Sequence, residues 1–223
     1  MTDQEPGPDD ALARHTDYGV ERLEEADLAA DPVTQFRRWL TDAADRDVYE
    51  PNAMVLGTVG ADGTPSSRTV LLRGVDEAGF VFYTDRSSRK GLAIDAHPTV
   101  TLLFPWYVMH RQVIVTGDVT TVTDAESDAY WTSRPHGSRI AGTASAQSRP
   151  LAARSDLEQR VRDLEAQYPE DVDVPRPDRW GGYRVRASRV EFWQGRTSRL
   201  HDRLVFTRDP GDAGRWTVER LQP

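Results

Sequence analysis

The order of hydrophobic and polar positions predicts a helical start followed by a body made mainly of strands. Asp31-Pro32 predicts a helix start, with Asp as the N-cap and Pro in the first turn. Apolar residues then recur at helical spacing, at Val33, Phe36, Trp39, Leu40 and Ala43. From residue 53 the period changes to two. Strands are predicted over residues 53–59, 67–75, 80–84, 99–106 and 112–122, with a hairpin turn at 60–63 and a short helix over 87–96.

The second half of the chain returns to helices before it closes with strands. An acidic first turn at Asp124 predicts a helix over 124–134, residues 138–147 are ambiguous, and residues 151–168 form an amphipathic pattern. A connector containing prolines at 172–179 precedes strands over 183–187 and 189–194 and a hairpin of 204–207 with 216–220. Consecutive hairpins with few helical insertions indicate an antiparallel barrel of mainly β, α+β class.

Residues 1–30 are set apart from this body. They mix Pro, Gly, Asp and Ala, and we expect a partly disordered N-terminal arm with a short helical piece over 20–28. Residues 1–31 hold ten acidic and two basic residues, so the net charge of −8 lies in this segment. The rest of the chain is neutral, which argues against a nucleic-acid binder. We find no internal repeat, and residues 31–223 are expected to form one domain.

Composition narrows the chemistry further. The chain has no Cys, which excludes disulfides, thiolate metal sites and cysteine nucleophiles. Its five histidines lack metal-ligand spacing, and neither a phosphate-binding glycine loop nor a nucleophile elbow is present. No apolar run approaches the ~18 residues of a membrane span, and the acidic N-terminus does not resemble a signal peptide. We therefore expect a cytoplasmic location without membrane contact. Of 28 basic residues, Lys90 is the one lysine, which suggests a position that needs a compact ammonium.

Three groups of residues are candidates for an anionic ligand. Ser87-Ser88-Arg89-Lys90 places hydroxyls and cations at a predicted helix N-terminus, where cations oppose the helix dipole. A second group, spaced four apart, is Tyr130, Arg134 and Ser138; taken alone, its spacing is better explained by a solvated helix face. In the third group, alternation in an extended chain would put Arg199, His201 and Arg203 on one face. A solvated edge strand is the alternative for that group.

Taken together, these stretches resemble the pyridoxamine 5′-phosphate oxidase family, also called pyridoxine 5′-phosphate oxidase. The resemblance runs in order through residues 20–223. Its motifs include Ser67-Arg68-Thr69-Val70-Leu71-Leu72, Gly79-Phe80-Val81-Phe82-Tyr83-Thr84, Ser88-Arg89-Lys90, Arg111-Gln112-Val113, Ser133-Arg134-Pro135, Trp180-Gly181-Gly182-Tyr183, Glu191-Phe192-Trp193-Gln194-Gly195 and Arg199-Leu200-His201-Asp202-Arg203.

The resemblance implies a split β-barrel that forms a homodimer with FMN at the subunit interface. It implies oxidation of the C4′ amine or alcohol of a phosphorylated B6 vitamer to pyridoxal 5′-phosphate, with O2 as acceptor, H2O2 as product and ammonia released from the amine. The residues it assigns to FMN are Arg68, Thr69, Val70, Leu71, Leu72, Arg73, Tyr83, Thr84, Arg89, Lys90, Gln112, Gln147, Ser148, Trp193 and Arg203. The residues it assigns to the substrate are Arg73, Tyr130, Arg134, Ser138, Arg199, His201 and Tyr18, with Arg199 and His201 catalytic and no metal ligand.

Departures from the family pattern leave two other functions open. Arg73 stands where the family usually has Lys, Ala141-Gly142-Thr143 replaces Gly-Ala-Trp, and His15 replaces an Arg in the arm. A bulkier guanidinium and a missing indole would reshape the pocket. The alternatives are therefore a flavin oxidase of the same fold acting on another substrate, as in phenazine biosynthesis, or a non-catalytic protein that binds flavin or pyridoxal 5′-phosphate.

Overall fold

An antiparallel sheet dominates the structure, a computed structural model that describes Leu12 and residues 16–212 and 214–223. In these residues nine strands pair in the order β2-β1-β5-β6-β7-β4-β3, and β8 joins β7 to β9. The sheet curls into the expected split β-barrel. The strands are β1 Ala53–Val59, β2 Pro65–Leu71, β3 Gly74–Asp76, β4 Gly79–Asp85, β5 Thr99–Trp106, β6 Arg111–Thr121, β7 Trp180–Gln194, β8 Asp202–Arg208 and β9 Trp216–Leu221.

Five α-helices flank the sheet within the described residues: α1 Pro32–Asp45, α2 Arg89–Ala96, α3 Asp124–Ser133, α4 His136–Ala144 and α5 Arg154–Gln167. Asp31 caps α1 by accepting from the Thr34 N–H at 2.9 Å, as its position before Pro32 predicts. Thr123 and Glu126 form a reciprocal capping box on α3. The segment that was ambiguous in the sequence is helix α4.

The core lies inside the barrel, closed at one end by α1. Phe36 is fully buried, and its ring lies 5.0 Å from that of Phe80 and 4.7 Å from that of Phe104. Burying an aromatic side chain of this size stabilises the fold by about 1.5–3 kcal/mol. A second apolar cluster joins Trp131 of α3, Ile140 of α4, Val174 of the connector and Trp180 of β7, and so holds α3 and α4 beside β7.

The long strand β7 corrects one prediction, since residues 183–187 and 189–194 belong to a single strand. It pairs with β6 along most of its length, through a register shift between Thr116 and Gly117. At that shift the strands approach so closely that a Cβ on Gly117 would lie 2.2 Å from the Arg186 carbonyl oxygen. Glycine permits the bulge, and the bulge lets one strand continue where alternation in the sequence is interrupted.

A second correction concerns the strand predicted over residues 67–75. Strand β2 ends at Leu71, and β3 begins at Gly74. The Leu72 N–H donates to the Asn52 carbonyl at 2.9 Å, and the Arg73 N–H donates to the Val81 carbonyl at 2.8 Å. The chain therefore changes strand partner between residues 71 and 74. Apolar alternation continues through this change, so the pattern alone did not reveal it.

The described part of the arm, residues 16–30, is less helical than predicted: a 3₁₀ turn at Glu25–Asp27 replaces the helical piece expected over 20–28. It is held by Asp202, which is 6% exposed and accepts from the Leu23 N–H at 3.1 Å and from Arg220 at 2.7 Å. Arg220 also pairs with Glu25 at 2.8 Å. Residues 1–11 and 13–15, including the departure at His15, lie outside the described residues.

The part of the chain that the structure describes contains neither a helix suited to span a membrane nor a cluster of residues suited to bind a metal ion. None of its helices combines the length and apolar character needed to cross a membrane. Groups of three or more His, Cys, Asp or Glu side chains arranged to hold a metal ion are also absent from these residues.

Candidate active site

A cavity of about 680 Å³, here called the main cavity, opens between the sheet and helices α3 and α4. Strands β2 and β4 supply one wall, and α3, α4 and the segment after α4 supply the other. This volume is in the range of ligand sites in enzymes. Its lining includes many of the predicted residues: Arg68, Thr69, Val70, Leu71, Arg73, Tyr83, Thr84, Lys90, Tyr130, Arg134, Ser138 and Gln147.

Lys90 is a buried ammonium whose hydrogen-bond acceptors are all neutral. Its Nζ donates to Thr84 Oγ1 at 3.1 Å, to Ser88 Oγ at 3.3 Å and to Gln147 Oε1. Burial lowers the pKa of the Lys90 ammonium, the charge of Arg68 lowers it further, and Asp85 opposes both. Buried charges are normally paired. This ammonium therefore has the environment of a group that receives an anion.

Arg68 belongs to the same end of the main cavity. Its guanidinium donates to Thr58 Oγ1 at 2.8 Å and Ser66 Oγ at 2.6 Å. Burial lowers the pKa of this guanidinium, and the nearby charge of Arg89 lowers it further. Arg89 itself lines a neighbouring cavity of about 330 Å³ together with Ser148. The predicted phosphate-binding cations thus lie close enough to repel one another, and an anion between them would relieve that repulsion.

The opposite end of the main cavity has a second cation, Arg134. Its guanidinium carbon lies 5.0 Å from the Trp131 ring centre and 4.8 Å from that of Trp180. Its NH1 is buried without a hydrogen-bond partner. Burial lowers the pKa of Arg134, Tyr130 opposes this, and Arg73 lowers it further. The helical spacing of Tyr130, Arg134 and Ser138 does bring the three side chains into one cavity, since α3 ends at residue 133 and α4 turns back.

The strand predicted over residues 67–75 would, by simple alternation, put Arg68 and Arg73 on opposite faces of the sheet. Both line the main cavity. The reason is the end of β2 at Leu71, after which the chain turns toward β4 and carries Arg73 to the helix side. There its guanidinium carbon lies 5.8 Å from the ring centre of Tyr130. Leu72, predicted as a cofactor contact, is 5% exposed and belongs to the core cluster instead of the cavity lining.

An aromatic stack forms part of the wall between the two cationic ends. The Tyr83 and Tyr130 rings lie 4.1 Å apart and nearly parallel, at 19°. Trp180 lies parallel to both, 5.6 Å from Tyr83 and 6.0 Å from Tyr130. Stacked aromatic rings of this kind give the cavity a flat, apolar wall.

Asp85 and Arg179 support the main cavity and were missed by the sequence analysis. The Asp85 carboxylate is 4% exposed and lies 2.9 Å from Arg179. Arg179 also donates to the carbonyls of Gly142, Thr143 and Ser145 at 3.2, 2.8 and 3.2 Å. It therefore fastens the end of α4 and the segment that places Gln147. An Arg directly before Trp180 was visible in the sequence, but its partners are 34 to 94 residues away.

The other predicted residues gather elsewhere, around two cavities of about 260 and 350 Å³ that share Tyr18 and are here called the loop cavities. Gln112 and Trp193 are paired across β6 and β7 and line the first. Arg199 lines the second. His201 lies beside them, with its ring 4.6 Å from Trp193 and 5.5 Å from Tyr18.

The loop that carries Arg199 and His201 is not the extended strand predicted from the alternation. Residues Thr197–Arg199 form a 3₁₀ turn, and Ser198 and Arg199 have positive φ angles of 56° and 60°. Arg203 alone of the three lies in a strand, β8. It pairs with Glu191 at 2.7 Å, and this hydrogen bond raises the pKa of Arg203. Arg203 lines neither the main cavity nor the loop cavities.

The main cavity and the loop cavities lie toward opposite ends of β7. Trp180, at its first residue, lines the main cavity, and Trp193, near its last, lines a loop cavity. At ~3.3 Å per residue these positions are roughly 40 Å apart along the strand. The two groups of candidate residues do not meet within one chain.

Comparison with known proteins assigns the chain to a family. Residues 40–168 match the family model described as pyridoxamine 5′-phosphate oxidase, and residues 180–223 match the pyridoxine 5′-phosphate oxidase C-terminal dimerisation region, which supports a homodimer. A pyridoxine/pyridoxamine 5′-phosphate oxidase of Streptomyces avermitilis is 50% identical over 227 residues, covering 100% of both chains. One from Thermosynechococcus vestitus is 53% identical over 207 residues, covering 93% of this chain and 96% of the relative.

Solved structures agree with this assignment. The crystal structure of PhzG from Burkholderia lata in complex with tetrahydrophenazine-1-carboxylic acid superposes with a TM-score of 0.85 at 33% identity, covering 92% of this chain and 100% of that chain. A pyridoxamine 5′-phosphate oxidase-related, FMN binding protein from Nostoc punctiforme has a TM-score of 0.69 at 18% identity, covering 88% and 100%, and so shares the fold. On these matches the chain belongs to the pyridoxamine 5′-phosphate oxidase family.

Proposed function

We propose that this protein is an FMN-dependent oxidase that converts pyridoxamine 5′-phosphate or pyridoxine 5′-phosphate to pyridoxal 5′-phosphate. O2 is the electron acceptor and is reduced to H2O2, and the amine substrate also releases ammonia. The curated relatives at about 50% identity carry this activity in their names. In this chain, the main support for the proposal is that the main cavity has, at each end, a largely buried cation without a carboxylate partner among the described residues, Lys90 at one end and Arg134 at the other.

The first anion position fits the phosphate of FMN. Lys90 and Arg68 lie at one end of the main cavity, and the carboxylate in its lining, Asp85, is already paired with Arg179. A dianionic phosphate would give the buried Lys90 ammonium the counter-charge that its neutral partners do not supply. Arg89 and Ser148 border the same end from the neighbouring cavity. We assign Thr69, Val70, Leu71, Tyr83, Thr84 and Gln147 to the walls around the cofactor.

The second anion position fits the substrate phosphate. Tyr130, Arg134 and Ser138 offer two hydroxyls and a guanidinium with a buried, unpartnered NH1. Arg73 adds a further positive charge at this end. Binding energy from a phosphate remote from the reacting carbon positions that carbon for reaction. Bound FMN would supply the redox chemistry by accepting a hydride from the substrate and passing the electrons to O2.

The complete site requires two copies of the chain. Gln112, Trp193, Arg199, His201 and Tyr18 lie at the far end of β7 from the main cavity, so they cannot act on a ligand bound there in the same chain. In a two-fold dimer, the loop cavities of one protomer can face the main cavity of its partner. We propose that FMN and substrate bind at this interface, with Arg203 reaching them from β8. The match of residues 180–223 to a dimerisation region supports this arrangement.

Aerobic turnover by the purified, FMN-loaded protein tests the proposal. Pyridoxamine 5′-phosphate and pyridoxine 5′-phosphate are supplied in parallel, and H2O2 and pyridoxal 5′-phosphate are measured. We expect equal amounts of the two products. A flavin-loaded protein that leaves both substrates unchanged would contradict the proposal.

Two departures from the family pattern favour a second candidate, an FMN oxidase of the same fold acting on a different reduced ring. Arg73 lies over Tyr130 where the family pattern has Lys, and Thr143 replaces a Trp in the segment bordering the main cavity. Oxidation of a dihydro- or tetrahydrophenazine carboxylate, tested in the same assay, distinguishes it. Protein that binds flavin or pyridoxal 5′-phosphate and turns over none of these compounds would instead be a carrier.

A further inference from the structure

One hydrogen bond determines which ring nitrogen of His201 carries the proton. The backbone N–H of Arg196 points at His201 Nδ1, with the two nitrogen atoms 3.0 Å apart. A backbone N–H can only donate, so Nδ1 must accept, and an accepting ring nitrogen has no proton. The neutral imidazole therefore carries its proton on Nε2.

The fold of the loop enforces this contact. The 3₁₀ turn at Thr197–Arg199 brings residue 201 back to the amide of residue 196. The Leu200 N–H closes the turn by donating to the Thr197 carbonyl at 3.2 Å. The Thr197 N–H donates to the Gly19 carbonyl at 3.0 Å, which ties the turn to the arm. The Arg196 guanidinium is directed toward Asp202 at 3.4 Å. Arg196 is thus held by its side chain as well as by its backbone.

The surroundings of His201 also disfavour its protonated form. Burial lowers the pKa of His201, Arg199 in the same loop lowers it further, and Asp202 opposes both. From the arm the ring meets Tyr18, and from β7 it meets the uncharged indole of Trp193. The Arg196 guanidinium adds a third charge nearby. Protonation of Nδ1 would also break the hydrogen bond from the Arg196 N–H.

We infer that His201 acts on the substrate as a neutral hydrogen-bond donor through Nε2 and does not accept a proton from it. Within residues 16–212 and 214–223, no acceptor engages Nε2, so this N–H is available to a ligand. Its partner would be an electron-rich oxygen or nitrogen of the substrate ring system. That part of the inference rests on the proposed function, whereas the protonation state of His201 does not.

The protonation state is tested by ¹⁵N NMR of the histidine rings in the full-length, FMN-loaded protein at pH 7. We expect a neutral His201 ring with the proton on Nε2, assigned by the signal that disappears in His201→Gln. His97 is an internal contrast, because its Nδ1 lies 3.3 Å from the Val59 carbonyl oxygen and must donate there. A His201 ring that is protonated on Nδ1, alone or together with Nε2, would overturn the inference.

A matched pair of variants tests the donor role. The side chain of His201→Gln can accept from the Arg196 N–H and still donate, whereas His201→Glu has nearly the same shape and can only accept. We expect kcat/KM to fall by about tenfold in His201→Gln and by at least 100-fold in His201→Glu, with FMN content unchanged in both. If the carboxylate variant is the more active of the two, His201 is a proton acceptor.

The pH dependence gives a further readout. Because the pKa of His201 lies below its ordinary value of 6.5, turnover should hold through neutral pH and decrease as the pH falls through that lowered value. His201→Gln should lack this decrease. If the wild-type protein oxidises neither B6 phosphate, the proposed function is wrong, and the NMR experiment still decides the state of His201.

Discussion

At the scale of single residues, each end of the main cavity has a largely buried cation that lacks a carboxylate partner among the described residues. Lys90 and Arg134 are both buried enough that desolvation lowers the pKa of each. In neither case does a carboxylate of the described residues form an ion pair with the cation. In the proposed function, phosphate groups bound beside Lys90 and Arg134 would provide the missing counter-charges, and this would contribute to their affinity.

Lys90→Ala should weaken FMN binding by about 10- to 100-fold, because a charge-assisted hydrogen bond to phosphate is worth about 1.5–3 kcal/mol. Fluorescence quenching of FMN during titration of the apoprotein measures the affinity. Lys90→Arg is the matched variant and should lose less. An affinity unchanged in Lys90→Ala would remove Lys90 from the phosphate site.

Arg199→Ala should keep FMN and lose turnover by at least about 100-fold, since Arg199 is assigned to the substrate ring and not to the cofactor. The flavin spectrum of the purified variant and its kcat/KM give the two readouts. Arg154→Ala is a control at an arginine whose side chain is 89% exposed on α5, and it should resemble the wild-type protein. Loss of FMN from Arg199→Ala would show that the role is assigned to the wrong ligand.

At the scale of elements, sequence patterns located the secondary structure well where one element keeps one environment. Strands β1 and β5 have the predicted bounds, because each alternates between buried and more exposed positions from end to end. The patterns failed where an element changes partner. The chain leaves β1 for β4 between Leu71 and Gly74, and it turns sharply at Ser198 and Arg199. Both changes depend on tertiary hydrogen bonds that alternation does not encode.

In the candidate site, too, residues that are neighbours in sequence could be grouped from the sequence pattern, whereas residues brought together by the tertiary fold could not. Tyr130 near the end of α3 and Arg134, which directly follows that helix, could be grouped by spacing alone. Gln147 could not, because its contact with Lys90 spans 57 residues. Its assignment rested on the family resemblance. Neither spacing nor the family resemblance identified Arg179, because its role depends on the four groups to which it donates hydrogen bonds.

Arg179→Gln should weaken FMN binding by about tenfold, because it releases the segment after α4 and leaves the buried Asp85 carboxylate to compete for Lys90. Arg176→Gln is the matched control in the same connector. Arg176 pairs instead with Asp124 and Asp128 on α3, so its loss should lower thermal stability and keep FMN affinity. Equal FMN affinities in the two variants would show that Arg179 supports the fold alone.

At the scale of the whole molecule, the separation of the two residue groups along β7 is the reason for proposing that the dimer is the functional unit. Each chain would contribute its main cavity to one site and its loop cavities to the other. A two-fold axis then generates two identical sites from one kind of interface. In this proposed arrangement a second copy of the chain, and not a second domain, would complete the active site.

A mixed dimer tests this directly. Arg134→Ala and Arg199→Ala damage different groups, so a dimer with one protomer of each kind would have one doubly damaged site and one intact site. We expect about half of the wild-type turnover from such mixed dimers, purified through two different tags, and almost none from either variant alone. Inactive mixed dimers would place each site within a single chain.

The link between the arm and the last strand has a consequence for the order in which the protein matures. Arg220, one of the groups that hold residues 16–30, donates to the Leu23 carbonyl from a position 197 residues later in the chain. The arm therefore cannot dock fully until β9 has been synthesised and has paired with β8. Tyr18 and the turn beside His201 belong to this late step. Until β9 has formed, residues 16–30 and the turn that they contact near His201 would lack one of the contacts that fix them.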